Sequence, residues 1–356
     1  MNAVHSFKLS GVAVPACAAQ MLDEICEHFV EHAEVERKDG LAVLRSKLGV
    51  AQIKIENAQL LIELDCPTRE MLHMSRTVLA EHLFYFANGQ PFELTWSEPT
   101  SLSALPNLHE VTVVSAHDVT PHMRRVIFSC ADVTPFVDGD MHVRLLVPPK
   151  GKPPVWPGFR EDGRISWPEG ENELLVRVYT IRSVDRDRGE LWVDFVQHPA
   201  PGVSTPGADF ARDARPGDVA ALLGPGGGGL PEARSILLIG DESALPAIAR
   251  IAAEAPSETT MRAIIEVEDM AEEQPLQTDG MLNVQWLHRA SHPNGAADTL
   301  VREAKAAIEA ANDETFVWVA CEKSDVRTIK TFLKVRKHDR RMMYVAWYWE
   351  RDVNTA

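Results

Sequence analysis

Two arginines, a tyrosine and a threonine lie close together in the segment Arg177-Val178-Tyr179-Thr180-Ile181-Arg182. These residue types are typical of a β-strand, in which successive side chains point to opposite faces. Arg177 and Tyr179 therefore share one face, while Thr180 and Arg182 share the other. An aromatic ring beside a guanidinium can hold a planar ring system and a pyrophosphate, and a flavin dinucleotide requires both. On composition alone, an ordinary half-buried strand with solvated arginines explains the same residues.

The segments that follow this strand form an ordered set of motifs. A strand that ends in histidine, Val193 to His198, leads into the turn Gly202 to Thr205, and Pro216-Gly217-Asp218 and Gly224-Pro225 come next. Gly240 to Ile248 and the pair Tyr348-Trp349 complete the set. In this order the motifs resemble those of the siderophore-interacting proteins, flavin-containing ferric-siderophore reductases related to the ferredoxin-reductase superfamily. The resemblance covers roughly residues 105 to 350.

This resemblance implies that the first motifs bind FAD. Arg177 would pair with the pyrophosphate, Tyr179 would pack on the isoalloxazine, and Thr180 would hydrogen-bond near the reactive flavin nitrogen. His198 would lie beside the adenosine or a phosphate. Gly202 to Thr205 would open a helix or turn whose N–H groups face the second phosphate. The predicted FAD-binding residues are Arg177, Val178, Tyr179, Thr180, Arg182, Asp194, His198, Gly202, Val203, Ser204 and Thr205.

The turn at Gly202 departs from the family pattern, which usually has an alanine and a serine after Gly-Pro. Here the sequence reads Gly-Val-Ser-Thr-Pro-Gly, so the motif is shifted or altered. Ser204 and Thr205 are the hydroxyls that can reach a phosphate. Both residues are also common in turns that bind nothing.

A second candidate site follows the apolar run Ser235 to Gly240, which is typical of a parallel strand buried on both faces. The turn Gly240-Asp241-Glu242-Ser243 lacks the G-x-G-x-x-G fingerprint, and we expect Ser243 to be a helix N-cap. The family uses this turn for the nicotinamide dinucleotide. Tyr348 and Trp349 match the family's terminal aromatic pair, and they either flank the flavin or nicotinamide pocket or belong to the core.

Acidic residues follow the next predicted strand, at Glu266, Glu268 and Asp269. Carboxylates at this place hydrogen-bond a ribose diol and repel a 2′-phosphate, which favours NADH over NADPH. A solvated acidic loop is the alternative explanation.

Basic residues on one predicted helix face form a candidate surface for an anionic ferric chelate. Lys323, Arg327, Lys330, Lys334 and Lys337 recur at spacings of three and four. We take Lys330, Lys334 and Lys337 as the substrate candidates, because a cationic patch attracts an anionic chelate. Ordinary solvated surface charge explains the same pattern.

Composition excludes several classes of function. The 356 residues carry a formal net charge of −16, which argues against a nucleic-acid binder. No apolar stretch is long enough for a membrane span, and the N-terminus does not resemble a signal peptide. The five cysteines form no C-x-x-C pair, and His28 and His32 alone do not make a site, so we expect no protein-bound metal.

The order of predicted elements indicates a multidomain chain. Residues 1–97 read as a small α+β domain that resembles an uncharacterised domain found beside siderophore-interacting domains, and residues 98–104 read as a linker. Residues 105–230 contain about six alternating strands, the pattern of an antiparallel β-barrel, which the resemblance assigns to FAD. Strands and helices alternate in residues 231–356, which indicates an open α/β parallel sheet for NAD(P)H.

The resemblance therefore implies a cytoplasmic, NAD(P)H-dependent, FAD-containing ferric-siderophore reductase that releases iron as Fe(II). Its substrate would be a ferric siderophore, with no nucleic acid and no membrane span involved. Two alternatives remain: a siderophore-binding protein without catalytic activity, and a flavin reductase or diaphorase that passes electrons to another acceptor or an unknown electron-transfer partner. The sequence assigns no function to residues 1–97.

Overall fold

The computed structural model describes residues 6–30, 33–99, 104–138, 140–197, 205–291 and 299–351. The chain divides into two compact units. The first unit contains residues 1–108 and 155–173, and the second contains residues 109–154 and 174–356. In this division residues 155–173 group with the N-terminal domain, although they lie inside the range predicted for the barrel.

The first unit is a six-stranded antiparallel sheet with two helices, in the strand order β2-β3-β4-β5-β1-β6. Helices bury Leu22, Ile25 and Leu83 against Ile53 and Ile62 of the sheet, in one apolar core. The small α+β domain predicted from the alternating strands is therefore confirmed. Its elements are β1 (Phe7–Val14), α1 (Ala18–Phe29), β2 (Glu34–Lys38), β3 (Leu41–Ser46), β4 (Gly49–Glu56), β5 (Gln59–Cys66), α2 (Arg69–Ala87) and β6 (Glu93–Trp96).

A short hairpin, β10 (Gly158–Phe159) and β11 (Ile165–Ser166), completes the first unit. Buried Arg76 donates from Nη2 to the Glu161 carbonyl at 2.9 Å and from Nη1 to the Glu98 carbonyl at 3.3 Å. Trp96 Nε1 donates to the Asp162 carbonyl at 2.8 Å. Side chains of the N-terminal domain thus bind the hairpin backbone, which is why this segment does not belong to the barrel.

Gly163 is the tightest point of the hairpin. Its backbone has φ +91°, and an added Cβ would lie 2.9 Å from Arg76 Nε. Thr77 donates its hydroxyl to the Gly163 carbonyl at 3.0 Å, and Glu81 accepts the Ile165 N–H at 2.8 Å. Only glycine combines this left-handed backbone with so close an approach.

The second unit begins with a closed six-stranded antiparallel barrel in the order β12-β13-β8-β7-β14-β9. Its interior contains Phe128, Phe136, Ile181, Val193 and Phe195, all fully buried. The predicted six-stranded barrel is confirmed. Its strands are β7 (Leu108–Thr120), β8 (Met123–Cys130), β9 (His142–Val147), β12 (Leu175–Asp185), β13 (Glu190–Val196) and β14 (Val219–Leu223), and α3 (Pro206–Asp213) precedes β14.

A five-stranded parallel sheet in the order β17-β16-β15-β18-β19 forms the rest of the second unit. The strand order reverses between β15 and β18, and ligands of open α/β sheets bind beside such a reversal at the carboxyl ends of the strands. The predicted α/β domain is therefore confirmed. Its elements are β15 (Ser235–Asp241), α4 (Leu245–Glu254), β16 (Thr260–Val267), β17 (Met281–His288), α5 (Thr299–Ala310), β18 (Thr315–Glu322), α6 (Lys323–Val335) and β19 (Met343–Trp349).

Within the described ranges, no helix has both the length and the apolar character needed to cross a membrane. The same part of the chain contains no group of three or more His, Cys, Asp or Glu side chains arranged to hold a metal ion.

Replacing Arg76 with methionine tests how the hairpin is held. We expect Arg76→Met to lower the free energy of unfolding by about 3 kcal/mol, because hydrogen bonds from a charged donor contribute about 1.5–3 kcal/mol each and both carbonyls lose their donor. Urea denaturation measures the stability, and hydrogen exchange of residues 155–173 reports the local effect. The matched control is Arg69→Met. Arg69 lies on the same helix as Arg76, but it is exposed, and its guanidinium lies over the ring of Phe7. Equal hydrogen exchange in both variants would show that Arg76 does not hold the hairpin.

Candidate active site

The segment Arg177 to Arg182 lies in barrel strand β12, between β9 and β13. Val178 is 66% exposed although it is apolar, whereas Thr180 is only 6% exposed. The ring of Tyr179 packs 4.3 Å from that of Phe195, and its hydroxyl lies against the start of α3 at Gly207. Arg177 is partly exposed, and its Nη1 donates to the Val176 carbonyl at 2.9 Å. The strand therefore presents an apolar side chain and a guanidinium at its surface.

Two further features of the barrel fit a dinucleotide with anionic phosphates. Nε of Arg182 is buried, and no hydrogen-bond partner for it exists among the described residues. Thr205 precedes α3, and its side chain makes no capping hydrogen bond there. An unpartnered buried guanidinium nitrogen and a helix start without a side-chain cap both suit an oxyanion. The residues present therefore fit FAD.

Other predicted FAD-binding residues have different surroundings. Both oxygens of the buried Asp194 carboxylate accept from Arg125, at 2.7 and 2.8 Å, so Asp194 is already paired within the protein. His198, Gly202, Val203 and Ser204 lie outside the described residues.

His142 joins the barrel strand to the α/β sheet, although no motif pointed to it. It is the direct partner of Thr180 across strands β9 and β12. Its Nδ1 lies 3.2 Å from the Thr180 hydroxyl, and its Nε2 lies 2.9 Å from the Tyr348 hydroxyl and 3.4 Å from that of Tyr344. Burial lowers the pKa of His142 to about 4, so the ring is neutral at physiological pH.

The turn after β15 is arranged around Asp241, which is 3% exposed. Its carboxylate accepts from the Ser243 N–H at 2.9 Å, from the Ser243 hydroxyl at 2.5 Å and from Trp349 Nε1 at 2.7 Å. The prediction that Ser243 is an N-cap is wrong, because α4 begins at Leu245 after Ala244 and the Ser243 hydroxyl is used by Asp241. Burial, followed by the charge of Glu242, raises the pKa of Asp241 to about 6.

Arg289, which the sequence analysis missed, gathers three carboxylates at the carboxyl ends of the strands. It donates to both oxygens of Glu242 at 2.6 and 2.8 Å, and to Glu266 and Glu268 at 3.3 Å each. Burial acts to lower the pKa of Arg289, but hydrogen bonding and charge from Glu242 and then Glu266 raise it above its usual value. Asp269 is not part of this cluster; it accepts the Ala271 N–H at 2.7 Å.

The three substrate-candidate lysines lie elsewhere. Lys330 and Lys334 are exposed on α6, and Lys337 is exposed just beyond its end. A helix between two parallel strands runs back along the sheet, so the lysines lie progressively farther from the carboxyl edge, by about 1.5 Å per residue. The structure therefore brings together Thr180, the Gly240–Ser243 turn, Tyr348 and Trp349, but not these lysines.

Family models match three consecutive parts of the chain. The matches are to an uncharacterised protein family conserved in bacteria (DUF2218) at residues 11–97, the siderophore-interacting FAD-binding domain at residues 112–229, and the siderophore-interacting protein at residues 233–352. A solved siderophore utilization protein from T. fusca is 33% identical, and the match covers 72% of this chain and 97% of that one, with a TM-score of 0.58. The chain belongs to the siderophore-interacting protein family.

Two named relatives of this siderophore-interacting protein are reductases. The ferric vibriobactin reductase ViuB of Vibrio cholerae is 27% identical over 242 residues, a match that covers 66% of this chain and 87% of ViuB. The ferric acinetobactin reductase of Acinetobacter baumannii is 23% identical over 257 residues, which covers 69% of this chain and 80% of that protein. The family assignment from ordered motifs is therefore confirmed, as is the resemblance of the N-terminal domain to an uncharacterised one.

The buried Asp241 carboxyl predicts a pH dependence of stability. Its pKa is about 6 in the folded protein against 3.8 for an ordinary aspartate. The stability contributed by the protonated Asp241 carboxyl is therefore fully present below pH 3.8 and is lost as the pH rises through 6. Because one pKa unit corresponds to about 1.4 kcal/mol, we expect Asp241→Asn to gain roughly 2–3 kcal/mol relative to wild type between pH 4 and pH 7.

Urea unfolding of the siderophore-interacting protein at several pH values measures this difference. The control is Asp218→Asn, which removes an exposed carboxylate from a barrel turn. A difference between Asp241→Asn and wild type that does not change with pH would mean that the Asp241 carboxyl titrates alike in the folded and unfolded states.

Proposed function

We propose that this protein is an NAD(P)H-dependent, FAD-containing ferric-siderophore reductase that releases iron as Fe(II). The observation that carries the proposal is the hydrogen-bonded contact from Thr180 through His142 to Tyr348. It joins the barrel strand that fits FAD to the carboxyl edge of the parallel sheet. There Tyr348 lies on β19 beside Trp349, which donates to Asp241 of β15. A nucleotide at that edge and a flavin on that strand would therefore meet at one site.

The residues of the barrel would hold the flavin. Arg177 and the unpartnered Nε of Arg182 would bind phosphate oxygens, and Val178 would cover an apolar part of the cofactor. Thr180 would hydrogen-bond the reactive edge of the ring, with Tyr179 packed beside it. Bound FAD would supply the conversion of a two-electron donor into single electrons.

The turn Gly240 to Ser243 would receive the nicotinamide dinucleotide. Asp241 fixes the turn from within, because its carboxylate accepts both Ser243 donors and the indole N–H of Trp349. Trp349 is thereby held beside the turn, where its ring would contact the nucleotide. Residues on β15 and β19 would position the hydride donor against the flavin strand.

Iron release follows from the preference of hard oxygen ligands for Fe(III). A chelate bound through siderophore oxygens holds Fe(II) far more weakly, so one electron per iron is enough to free the metal. No ligand from the protein is needed, and the iron is substrate rather than cofactor. Imported chelate and reduced nicotinamide meet in the cytoplasm, which is where we place the reaction.

An anaerobic assay tests this function. The protein is mixed with FAD, NADH or NADPH and a ferric siderophore, and flavin bleaching is followed with an Fe(II) trap present. We expect bleaching by a nucleotide and trapped Fe(II) that depends on the protein. Bleaching without Fe(II) would mean that electrons go to another acceptor. Chelate binding without flavin binding would instead indicate a siderophore-binding protein.

Arg177→Gln tests the flavin site directly. Charged hydrogen bonds contribute about 1.5–3 kcal/mol, so we expect FAD affinity to fall about ten- to one-hundredfold. Fluorescence quenching of FAD on titration with protein measures the affinity. Arg186→Gln, at an exposed position farther along the same barrel hairpin, is the matched control and should bind FAD as wild type does. Unchanged FAD affinity in Arg177→Gln would remove Arg177 from the proposed pyrophosphate site.

The cluster around Arg289 supports NADH as the donor. Arg289 is the basic residue of this cluster, and Glu242, Glu266 and Glu268 already occupy its donors. With three carboxylates to one guanidinium, the cluster is acidic overall and would repel a 2′-phosphate. The same carboxylates can accept hydrogen bonds from a ribose diol.

Removing two of the carboxylate charges should relax this preference. We expect Glu266→Gln with Glu268→Gln to raise kcat/KM for NADPH relative to NADH about tenfold or more, because two of the three charges that repel a 2′-phosphate are removed. Steady-state kinetics with both nucleotides measures the ratio. Glu273→Gln, whose carboxylate pairs with His288 instead, serves as the control. A wild-type preference for NADPH would refute this assignment of the cluster.

A further inference from the structure

The ring of His142 has a hydrogen-bonding hydroxyl at each nitrogen. Nδ1 faces Thr180 Oγ1 on the barrel at 3.2 Å. Nε2 faces the hydroxyl of Tyr348 at 2.9 Å and that of Tyr344 at 3.4 Å, both on β19 of the α/β sheet. The two nitrogens of one imidazole therefore bridge two separate parts of the second unit.

The surrounding backbone holds this ring in place. The His142 carbonyl accepts the Gly226 N–H at 2.8 Å, and the Met141 N–H donates to the Gly227 carbonyl at 3.1 Å. A Cβ added to Gly228 would lie 2.2 Å from Nε2, so only glycine leaves room for the ring. The edge of the imidazole also meets the ring of Tyr348 at 90°, with centroids 5.3 Å apart.

The surroundings of His142 keep the ring uncharged. Its charged neighbours are Asp140 and Arg250, whose effects on the ring oppose each other. The other groups that face it are the neutral hydroxyls of Thr180, Tyr344 and Tyr348, and burial raises the pKa of both tyrosines. A neutral imidazole has one protonated nitrogen and one lone pair, so it can accept a proton at one nitrogen while it donates from the other.

The proposed reaction releases a proton at this place. One NADH reduces two ferric chelates, giving NAD⁺, two ferrous chelates and one H⁺, because the hydride divides into two electrons and a proton. Thr180 is only 6% exposed, so its hydroxyl is largely shielded from bulk water. Tyr344 and Tyr348 are both partly exposed, at the far side of the imidazole.

We infer that His142 relays this proton from Thr180 to the Tyr348 and Tyr344 hydroxyls. The Thr180 hydroxyl passes its proton to Nδ1 as it takes up the released one, and Nε2 gives its proton to Tyr348, which passes one on toward solvent. This leaves the ring proton of His142 on Nδ1, and it returns to Nε2 by proton exchange with water before the next turnover. The inference rests on the proposed function. His142 is a positioning and relay residue, because it reaches the reacting groups only through the Thr180 hydroxyl.

The test measures the rate of proton release in the absence of nucleotide and siderophore. FAD-loaded protein is reduced with one equivalent of dithionite without oxygen and is then mixed rapidly with ferricyanide. Flavin absorbance reports electron transfer, and a pH-indicator dye reports the proton. General acid–base groups contribute about 10²–10⁴-fold, so we expect His142→Gln to slow proton release at least about tenfold. Exogenous imidazole should restore the rate in His142→Ala.

Matched variants separate the relay from a purely structural role. His109→Gln removes another partly buried barrel histidine, whose ring packs on Phe136, and should leave proton release unchanged. Tyr348→Phe combined with Tyr344→Phe should slow release as His142→Gln does. FAD affinity and the flavin absorbance spectrum of each variant show whether the site is intact.

Three outcomes overturn the inference: His142→Gln releases protons at the wild-type rate, imidazole restores nothing, or His109→Gln is slowed equally. Because ferricyanide replaces the ferric chelate, this assay still decides the relay if the protein reduces a different acceptor. Failure of the reductase proposal would instead appear as protein-dependent flavin bleaching that yields no trapped Fe(II).

Discussion

The buried guanidinium of Arg250 connects the two halves of the second unit. It is 1% exposed on α4, and it donates to the barrel carbonyls of Ile181 at 3.0 Å and Phe136 at 2.6 Å. Arg250 also donates from Nε to the carboxylate of Glu254, on the same helix, at 2.9 Å. Because α4 follows the Gly240–Ser243 turn and Ile181 follows Thr180, this one side chain fixes the turn relative to the strand. The geometry of the candidate site depends on it.

A second constraint is the density of carboxylates at the carboxyl edge of the parallel sheet. Four of these carboxylates have a donor within the protein: Ser243 and Trp349 for Asp241, Arg289 for Glu242 and Glu266, and Ser324 for Glu322. Burial still raises the pKa of Glu266, although Arg289 opposes it. In the proposed function, this acidic edge would accept hydrogen bonds from a ribose diol and repel a 2′-phosphate.

Local pattern predicted the elements well, because alternation and apolar runs depend on neighbouring residues. The strands of the barrel and of the parallel sheet lie where these patterns indicated, and the ordered motifs identified the family. His142 was missed because its partners are 38 and 206 positions away in sequence, and only strand register brings them together. Arg289 was missed for the same reason. The Ser243 cap was mispredicted because a buried carboxylate two residues earlier competes for the same hydroxyl.

The hairpin of residues 155–173 could not be assigned from sequence, because what binds it is a set of side chains on α2 and β6 that recognise its backbone. Arg76, Thr77 and Trp96 each donate to a hairpin carbonyl, so recognition depends little on which side chains the hairpin carries. In sequence the hairpin follows β9 and precedes β12. The segment therefore interrupts the chain between the strands that carry His142 and Thr180, although the side chains that bind it belong to the first unit.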